Sequence, residues 1–465
     1  MDSRVAERQR VLLGHFKQTE AVTAALSQPQ LESRACSAGD SSGYERRSSG
    51  MDDVVIVSAL RTPITKAKRG GLKDTLPDDL LVTVFKATLD RTGINPADIG
   101  DVVVGSVLGD SSQRAIQCRV ASLLSGIPET VPVHTVNRQC SSGLQAIASV
   151  AASIKAGFYT IGLAGGVETM SSNPMAWNGG VNPKLDQNQQ AADCLLPMGV
   201  TSENVAERYG VSRAQQDEHA ARSHQRAAAA QAAGKFDSQI VPVDTVWKDL
   251  KTGEEKQIRV DKDDGIRQGA TAKALSALKP VFKRNGTTTA GNSSQISDGA
   301  GAVLLMTRAE AVKRGLQVLG IFRSFAAVGV DPAVMGIGPA VAIPAAVAMA
   351  GLTIDDIDVI ELNEAFSSQA TYCIKKLGLD PERVNPNGGA VALGHPLGCT
   401  GTRCTATLLH EMKRRGKAAR FGVVSMCIGS GMGAAAVFEQ GSEVDAPVNA
   451  SAVSRQEYLS PDAVV

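Results

Sequence analysis

Residues Gly93-Ile94-Asn95-Pro96-Ala97-Asp98-Ile99, followed by the apolar run Val102 to Val104, return in outline as Gly351-Leu352-Thr353-Ile354-Asp355-Asp356-Ile357 before a second apolar run. A glycine, a turn and a strand start that recur in one chain mark a duplicated unit. Counting on from each glycine, Cys140 lies 47 positions after Gly93 and His395 lies 44 after Gly351. Two reactive side chains therefore hold equivalent places in two copies, and a pseudo-twofold pair of halves would bring them to one junction.

Around the first copy the hydrophobic pattern switches between two periods. Val54 to Ala59 predicts a buried strand, Asp79 to Thr92 a helix closed by Gly93, and Val102 to Val104 a strand. Val131 to Val136 then reads as strand, Cys140 to Ala156 as helix and Thr160 to Ala164 as strand. Such alternation predicts an α/β layered fold. Residues 171–284, richer in Gln, Asn and Ala, interrupt it with helical segments at Ser202 to Tyr209 and Arg213 to Ala233, and read as an inserted loop domain covering substrate. The predicted organisation is a leader at 1–50, a first half at 51–170 plus 285–315, the insertion at 171–284, a second half at 316–440, and a tail at 441–465 without hydrophobic periodicity.

Composition narrows the partners. Lysine and arginine number 48 against 47 acids, so no strong field recruits nucleic acid or an anionic membrane, and a small molecule is the expected ligand. Eight cysteines without close pairing predict free thiols in a reducing compartment. The longest apolar run, Ala340 to Leu352, contains Pro344 and is too short to span a bilayer.

Three motifs carry the chemistry. Asn137-Arg138-Gln139-Cys140-Ser141-Ser142-Gly143 and Gly394-His395-Pro396-Leu397-Gly398 each set a reactive side chain where a glycine-containing turn enters a helix. Unpaired N–H groups at a helix start and a nearby imidazole would lower the Cys140 pKa well below that of a free thiol. Cys427-Ile428-Gly429-Ser430-Gly431-Met432-Gly433 offers a second thiol, placed by this reading in a tight turn, which could act as acid and base in succession. His395, Cys399 and Cys404 could also be drawn as zinc ligands, but they lack a paired C-x-x-C.

In this order, and with the insertion where it stands, these motifs resemble those of the thiolases, most nearly the peroxisomal 3-ketoacyl-CoA members; Asn363-Glu364-Ala365-Phe366 is similar to a fourth family stretch. The resemblance implies a five-layered αβαβα fold, a homodimer, and 3-ketoacyl-CoA and coenzyme A as substrates, with no metal, flavin or nicotinamide cofactor. It implies that Cys140 attacks the 3-keto carbon, that His395 activates it and, with a water held by Asn363, stabilises charge on the thioester oxygen, and that Cys427 moves the remaining protons. Backbone N–H groups of Cys140 and Gly429 would form a second oxyanion pocket. Ser294 would lie near the pantetheine arm and Arg267 at the nucleotide end, while Met198 stands where short-chain biosynthetic members often carry histidine, which fits longer acyl tails and degradation. Cys194 could reach Cys140 in a regulatory disulfide. The competing readings are acetoacetyl-CoA thiolase, a ketoacyl or hydroxymethylglutaryl-CoA synthase, in which histidine would replace Cys427, and a silent acyl-CoA carrier.

In the leader, Arg8, Gln9, His15 and Phe16 resemble a type-2 peroxisomal targeting signal, read by an import receptor; a mitochondrial presequence and an unstructured tail are the bland alternatives. The expected location is the peroxisome, or glyoxysome in a plant, with leader removal near Cys36.

Overall fold

The duplication is written in the sheet order of the computed structural model, which describes residues 50–109, 113–175 and 179–441. The targeting residues Arg8, Gln9, His15 and Phe16, the cleavage region at Cys36 and all of the tail but Gly441 lie outside the described residues. The first half runs β1 (Val54–Arg61), β2 (Thr65–Lys66), α1 (Pro77–Thr92), β3 (Asp101–Gly105), α2 (Gln113–Leu124), β4 (Val133–Val136), α3 (Ser142–Lys155) and β5 (Ile161–Thr169). The insertion holds α4 (Met198–Tyr209), α5 (Arg213–Ala232) and a hairpin, β6 (Val243–Lys248) with β7 (Glu255–Val260), which the hydrophobic pattern did not predict. Then come β8 (Ser297–Thr307), β9 (Gly320–Gly329), α6 (Gly338–Met349), β10 (Val359–Leu362), α7 (Ser367–Leu377), α8 (Leu397–Arg415), β11 (Phe421–Ile428) and β12 (Met432–Gln440).

Read from one edge, the strands stand in the order β4-β3-β5-β8-β1, then β9-β12-β11-β10, with β2 paired to β8 off this path. The two series are mirror lists. β3 pairs parallel to β4 and to β5, while β5–β8 and β8–β1 are antiparallel. Likewise β10 pairs parallel to β11 and, by the single bridge Ile360↔Val384, to a fifth segment, while β11–β12 and β12–β9 are antiparallel. The halves join edge to edge where Val55 meets Ile321 and Ile56 meets Gly320. Gly93 and Gly351 both adopt left-handed backbone (φ 63 and 67), and each leads into a 3-10 turn and then into β3 or β10. The repeat seen in the sequence is thus a repeat of structure.

Side chains that alternate along the strands bury both sheet faces. Val103 of β3 and Val424 of β11 point into one cluster with Leu144, Ile147 and Val150 of α3 and Leu408, Leu409 and Met412 of α8. Their neighbours Val102 and Val104 instead meet Leu80, Leu81, Val84 and Phe85 of α1. Val423 and Val437 meet Ala342, Ile343 and Val347 of α6 and Cys373 of α7. Outer helices, half-sheet, the α3/α8 pair, half-sheet and outer helices make five layers, the αβαβα arrangement. The apolar run that includes α6 extends over Pro332–Met349, long and apolar enough to cross a membrane at mean hydropathy 1.7. It is longer than the sequence reading had it, yet it packs against the second half-sheet as a core helix and is broken at Val334 (φ −131).

At the midline α3 and α8 touch through glycines. A Cβ on Gly143 would stand 2.6 Å from the Gly398 carbonyl oxygen, and one on Gly398 would stand 2.6 Å from Ser106 Cα. The absence of side chains there lets the N-termini of the two central helices, which carry Cys140 and His395 just upstream, approach one another.

Candidate active site

Between β4 and α3 the chain makes a strained turn. Gln139 has φ 47, unusual for a non-glycine residue. The strain is over-determined by local hydrogen bonds: Gln139 N–H donates to Asn137 Oδ1 at 2.9 Å, Arg138 N–H to Ser142 Oγ at 2.9 Å, and the Ser142 hydroxyl to Gln139 O at 2.7 Å. Cys140 emerges half-buried against the small apolar cluster of Ala67, Met170 and Leu397, on which Val107 and Leu108 also pack. The backbone N–H groups of Gly429 and of Cys140 itself favour its thiolate.

Gly429 belongs to the third motif. Here the structure corrects the sequence reading, because Cys427 lies within β11, paired to Gly433 of β12, rather than in the turn. It is fully buried in a small cluster with Met335, Ala365 and Phe366, against which Met198 packs. The two thiols sense each other, so a charge on either disfavours a charge on its neighbour. Ser430, at φ 63, closes the hairpin.

His395 approaches from the other half. Its N–H donates to Gln295 O at 3.0 Å, and Nδ1 is 2.6 Å from the Thr400 hydroxyl, one turn into α8. Nε2 lies 3.4 Å from Asn363 Nδ2. With Nδ1–H donating to Thr400, Nε2 keeps its lone pair for a proton from the site. Asn363 is buried and its Oδ1 has no partner, an orphan acceptor suited to a bound water.

The electrostatics overturn one expectation. Cys140 was expected to be acidified; burial instead pushes its thiol up to about 11, outweighing the two N–H groups, and the Glu168 carboxylate adds to the rise. Cys427 is raised well above the usual thiol value, first by burial and then by Cys140. His395 falls to about 3, through burial and the Arg403 guanidinium behind it. No imidazolium is therefore present to stabilise a thiolate. The resting site holds two thiols and a neutral imidazole.

Of the substrate residues, Met198 lies at this cluster, its Sδ 3.6 Å from where a Gly429 Cβ would be. Ser294 is half-buried and its N–H donates to the Ala365 carbonyl, which sets it beside the Asn363–Phe366 stretch. Arg267 is exposed on the insertion, tied by its backbone N–H to His224 Nδ1 at 3.2 Å. The described cysteines are free, and Cys194 Sγ stands 3.7 Å from Ser430 O. Among the described residues no group of three His, Cys, Asp or Glu side chains could hold a metal ion, and Cys399 and Cys404 are buried in α8. A cavity of about 570 Å³ between α5 and α7, lined by Arg222, Ile374 and Lys375, contains none of these residues.

Three supporting residues escaped the sequence reading. Thr400 orients His395, Arg403 depresses its pKa, and Glu168 sits behind Cys140. Glu168 carried a legible signal: a carboxylate inside Ile161–Thr169, a strand buried at every position.

With this geometry in view, comparison with known proteins is direct. The family profile "Thiolase, N-terminal domain" matches residues 54–309, and "Thiolase, C-terminal domain" matches residues 316–440. The chain is 64% identical over 457 residues to the peroxisomal 3-ketoacyl-CoA thiolase 2 of Arabidopsis thaliana, covering 98% of this chain and 99% of that one. It is 54% identical over 432 residues to the peroxisomal 3-ketoacyl-CoA thiolase B of Mus musculus, covering 93% and 99%. The crystal structure of the dimeric peroxisomal thiolase of Saccharomyces cerevisiae superposes with a TM-score of 0.77 at 46% identity, over 84% of this chain and 98% of that one. The human mitochondrial 3-ketoacyl-CoA thiolase superposes with a TM-score of 0.74 at 37% identity, over 84% and 99%. Two half-sheets of one topology, a shared midline of reactive residues and near full-length similarity lead to one conclusion: this chain belongs to the thiolase family.

Proposed function

We propose that the protein is a peroxisomal 3-ketoacyl-CoA thiolase, an acyltransferase that uses coenzyme A to cleave 3-ketoacyl-CoA into acetyl-CoA and an acyl-CoA two carbons shorter, the last step of fatty acid β-oxidation. The observation that supports the reading is the approach of the Cys140 turn to the third motif: Gln139 Cγ stands 4.0 Å and Met198 Sδ 3.6 Å from where a Gly429 Cβ would be, with Cys427 two residues upstream of Gly429.

The proton path follows from the resting state. As the 3-keto carbonyl arrives, the Cys140 proton passes to neutral His395 and the sulfur bonds to C3. The C2–C3 bond then breaks, its electron pair forming the acetyl-CoA enolate, which takes the Cys427 proton; the acyl group remains on Cys140. Coenzyme A enters, gives its thiol proton to the Cys427 thiolate, and attacks the thioester. Cys140 leaves and recovers its proton from His395. Every proton returns, no electron is left over, and no metal or prosthetic group is required; coenzyme A is a substrate. The backbone N–H groups of Cys140 and Gly429 serve one oxyanion, and His395 with an Asn363-held water serves the other, each donor lowering the barrier by about 3 to 4 kcal/mol.

The insertion at 171–284 covers coenzyme A, with Arg267 toward the nucleotide and Ser294 along the pantetheine arm. Met198 gives the acyl end an apolar wall suited to longer tails. Thiolysis of a graded series of 3-ketoacyl-CoAs, followed by loss of magnesium–enolate absorbance, tests this: activity rising beyond four carbons supports it, and exclusive use of acetoacetyl-CoA overturns it.

The chain acts as a homodimer. On α2, Ile116, Val120, Leu123 and Leu124 share one helical face and are exposed, beside the edge strand β4. Light scattering at the mass of two chains supports this reading; a monomer at working concentration opposes it. Residues 1–50 direct import through Arg8, Gln9, His15 and Phe16, so a fluorescent fusion enters peroxisomes and His15→Ala keeps it out. A peroxide, itself reduced to water, oxidises the Cys140 and Cys194 thiols to a disulfide and stops turnover; absence of that cross-link in peptide maps of the oxidised, inactive protein would remove this step.

A further inference from the structure

Glu168 lies near the end of β5, fully buried, and belongs to neither reactive loop. Yet it touches the support of both. One carboxylate oxygen accepts the N–H of Val107 at 2.9 Å and the N–H of Gly398 at 3.0 Å. The other accepts the N–H of Leu108 at 3.0 Å and the Ser106 hydroxyl at 3.2 Å. Val107 and Leu108 pack on the same small apolar cluster, Ala67, Met170 and Leu397, as Cys140. Gly398 stands in the first turn of α8, three residues beyond His395. One planar, rigid group thus fixes the nucleophile's platform from the first half and the imidazole's helix from the second.

Burial raises the Glu168 carboxyl above the ordinary carboxylate range, while four donors on its four lone-pair positions and the Arg114 guanidinium pull the other way and favour the ionised form. The charge also sits at the N-terminus of α8, where the helix dipole favours it. The charged and titratable groups facing Glu168 are Arg114 of α2, at 4.0 Å and itself held by Leu108 O and Asn173 Oδ1, and Cys118 one turn along the same helix. The charged group acting on Cys140 is Glu168 itself, and Cys140 acts in turn on Cys427. Arg114 pairs with the carboxylate at the long distance of 4.0 Å, so it offsets the charge near Cys140 only in part.

The geometry points to Glu168 as a positioning residue that sets the spacing of Cys140 and His395 and holds its carboxylate beside the nucleophile's loop. This inference rests on the proposed role of Cys140 as nucleophile. The two fail separately: without that role the wild-type protein forms no acyl-enzyme at Cys140, whereas an idle Glu168 leaves the wild-type acyl-enzyme intact.

The test pairs two substitutions with two readouts, after thermal unfolding has shown each protein folded. Glu168→Gln keeps the shape but loses the charge and turns one acceptor into a donor facing N–H groups. It should lower kcat about 100-fold with little change in KM, as expected for reacting groups displaced by about 1 Å. The pH profile for iodoacetamide alkylation of Cys140 in the substrate-free enzyme should also move to lower pH. Glu168→Asp keeps the charge but is one methylene too short to hold both loops, so kcat should fall while the alkylation profile stays that of the wild type. If Glu168→Gln does not fold, Glu168→Asp decides by the same two readouts. Wild-type kcat in either folded variant overturns the inference, as does an unmoved alkylation profile in folded Glu168→Gln.

Discussion

Gly143→Ala probes whether contact between the two central helices sets the active site. The added Cβ would stand 2.6 Å from the Gly398 carbonyl oxygen and 3.0 Å from the Thr402 nitrogen, both backbone atoms of α8. Ordinary contact begins at 3.4 Å, so α3 and α8 must part by about 0.8 Å at their N-terminal ends. Two effects oppose each other in stability. Overpacking costs about 1 to 3 kcal/mol, whereas alanine in a helix is favoured over glycine by about 1 kcal/mol. The net loss is small, but the displacement falls on the turn carrying Cys140 and the helix following His395. A shift of that size between reacting groups should lower kcat about 100-fold. Thiolysis kinetics and thermal melting, run together, separate the two consequences. Gly329→Ala is the control, because nothing lies within 4 Å of its Cβ and its φ is not in the left-handed region. A folded Gly143→Ala enzyme with wild-type kcat would refute the claim that this glycine contact fixes the catalytic spacing.

Other outcomes follow from the same geometry. Cys427→Ala should still accept an acyl group from acyl-CoA onto Cys140 but lose about 100-fold or more in 3-ketoacyl-CoA cleavage, since the enolate loses its proton donor; equal loss in both steps would contradict the division of labour. Alkylation of Cys140 in the free enzyme should climb with pH toward the thiol's value of about 11, and a plateau already reached at neutral pH would show a standing thiolate. His224 and His410, each lowered to about 4 first by burial, bind fewer protons folded than unfolded, so stability should fall as pH drops from 6.5 to about 4. Asp298 and Glu361, raised by burial to about 6 and about 8, pull the other way, so urea midpoints of the wild type and of His224→Gln/His410→Gln across that window isolate the histidines. An unchanged pH dependence in the double variant would oppose the prediction.

Much of this was legible in the chain because the deciding signals are local. A helix start after Cys140 and another after His395 follow from turn chemistry and hydrophobic period, and the Gly93/Gly351 repeat fixed their equivalence. Cys427 was misassigned to a turn because Ile428-Gly429-Ser430-Gly431 reads as loop, while pairing with β12 extends the strand past the thiol. The pKa of Cys140 was misjudged for a different reason. A helix start and a neighbouring imidazole can be seen in sequence, but burial of both groups cannot, and burial decides the sign. Glu168, Thr400 and Arg403 act through contacts between distant segments, so their partners appear only once the halves are assembled.

The central claim is that Cys140 carries the acyl group between two thioesters. Acid quenching after mixing enzyme with a 3-ketoacyl-CoA in the absence of free coenzyme A, then mass analysis of the peptides, tests it most directly. The account predicts an acyl group two carbons shorter than the substrate's on the Cys140 peptide, acetyl-CoA released in equal amount, and neither product from Cys140→Ala. An adduct on another residue, or one that persists in Cys140→Ala, would contradict it.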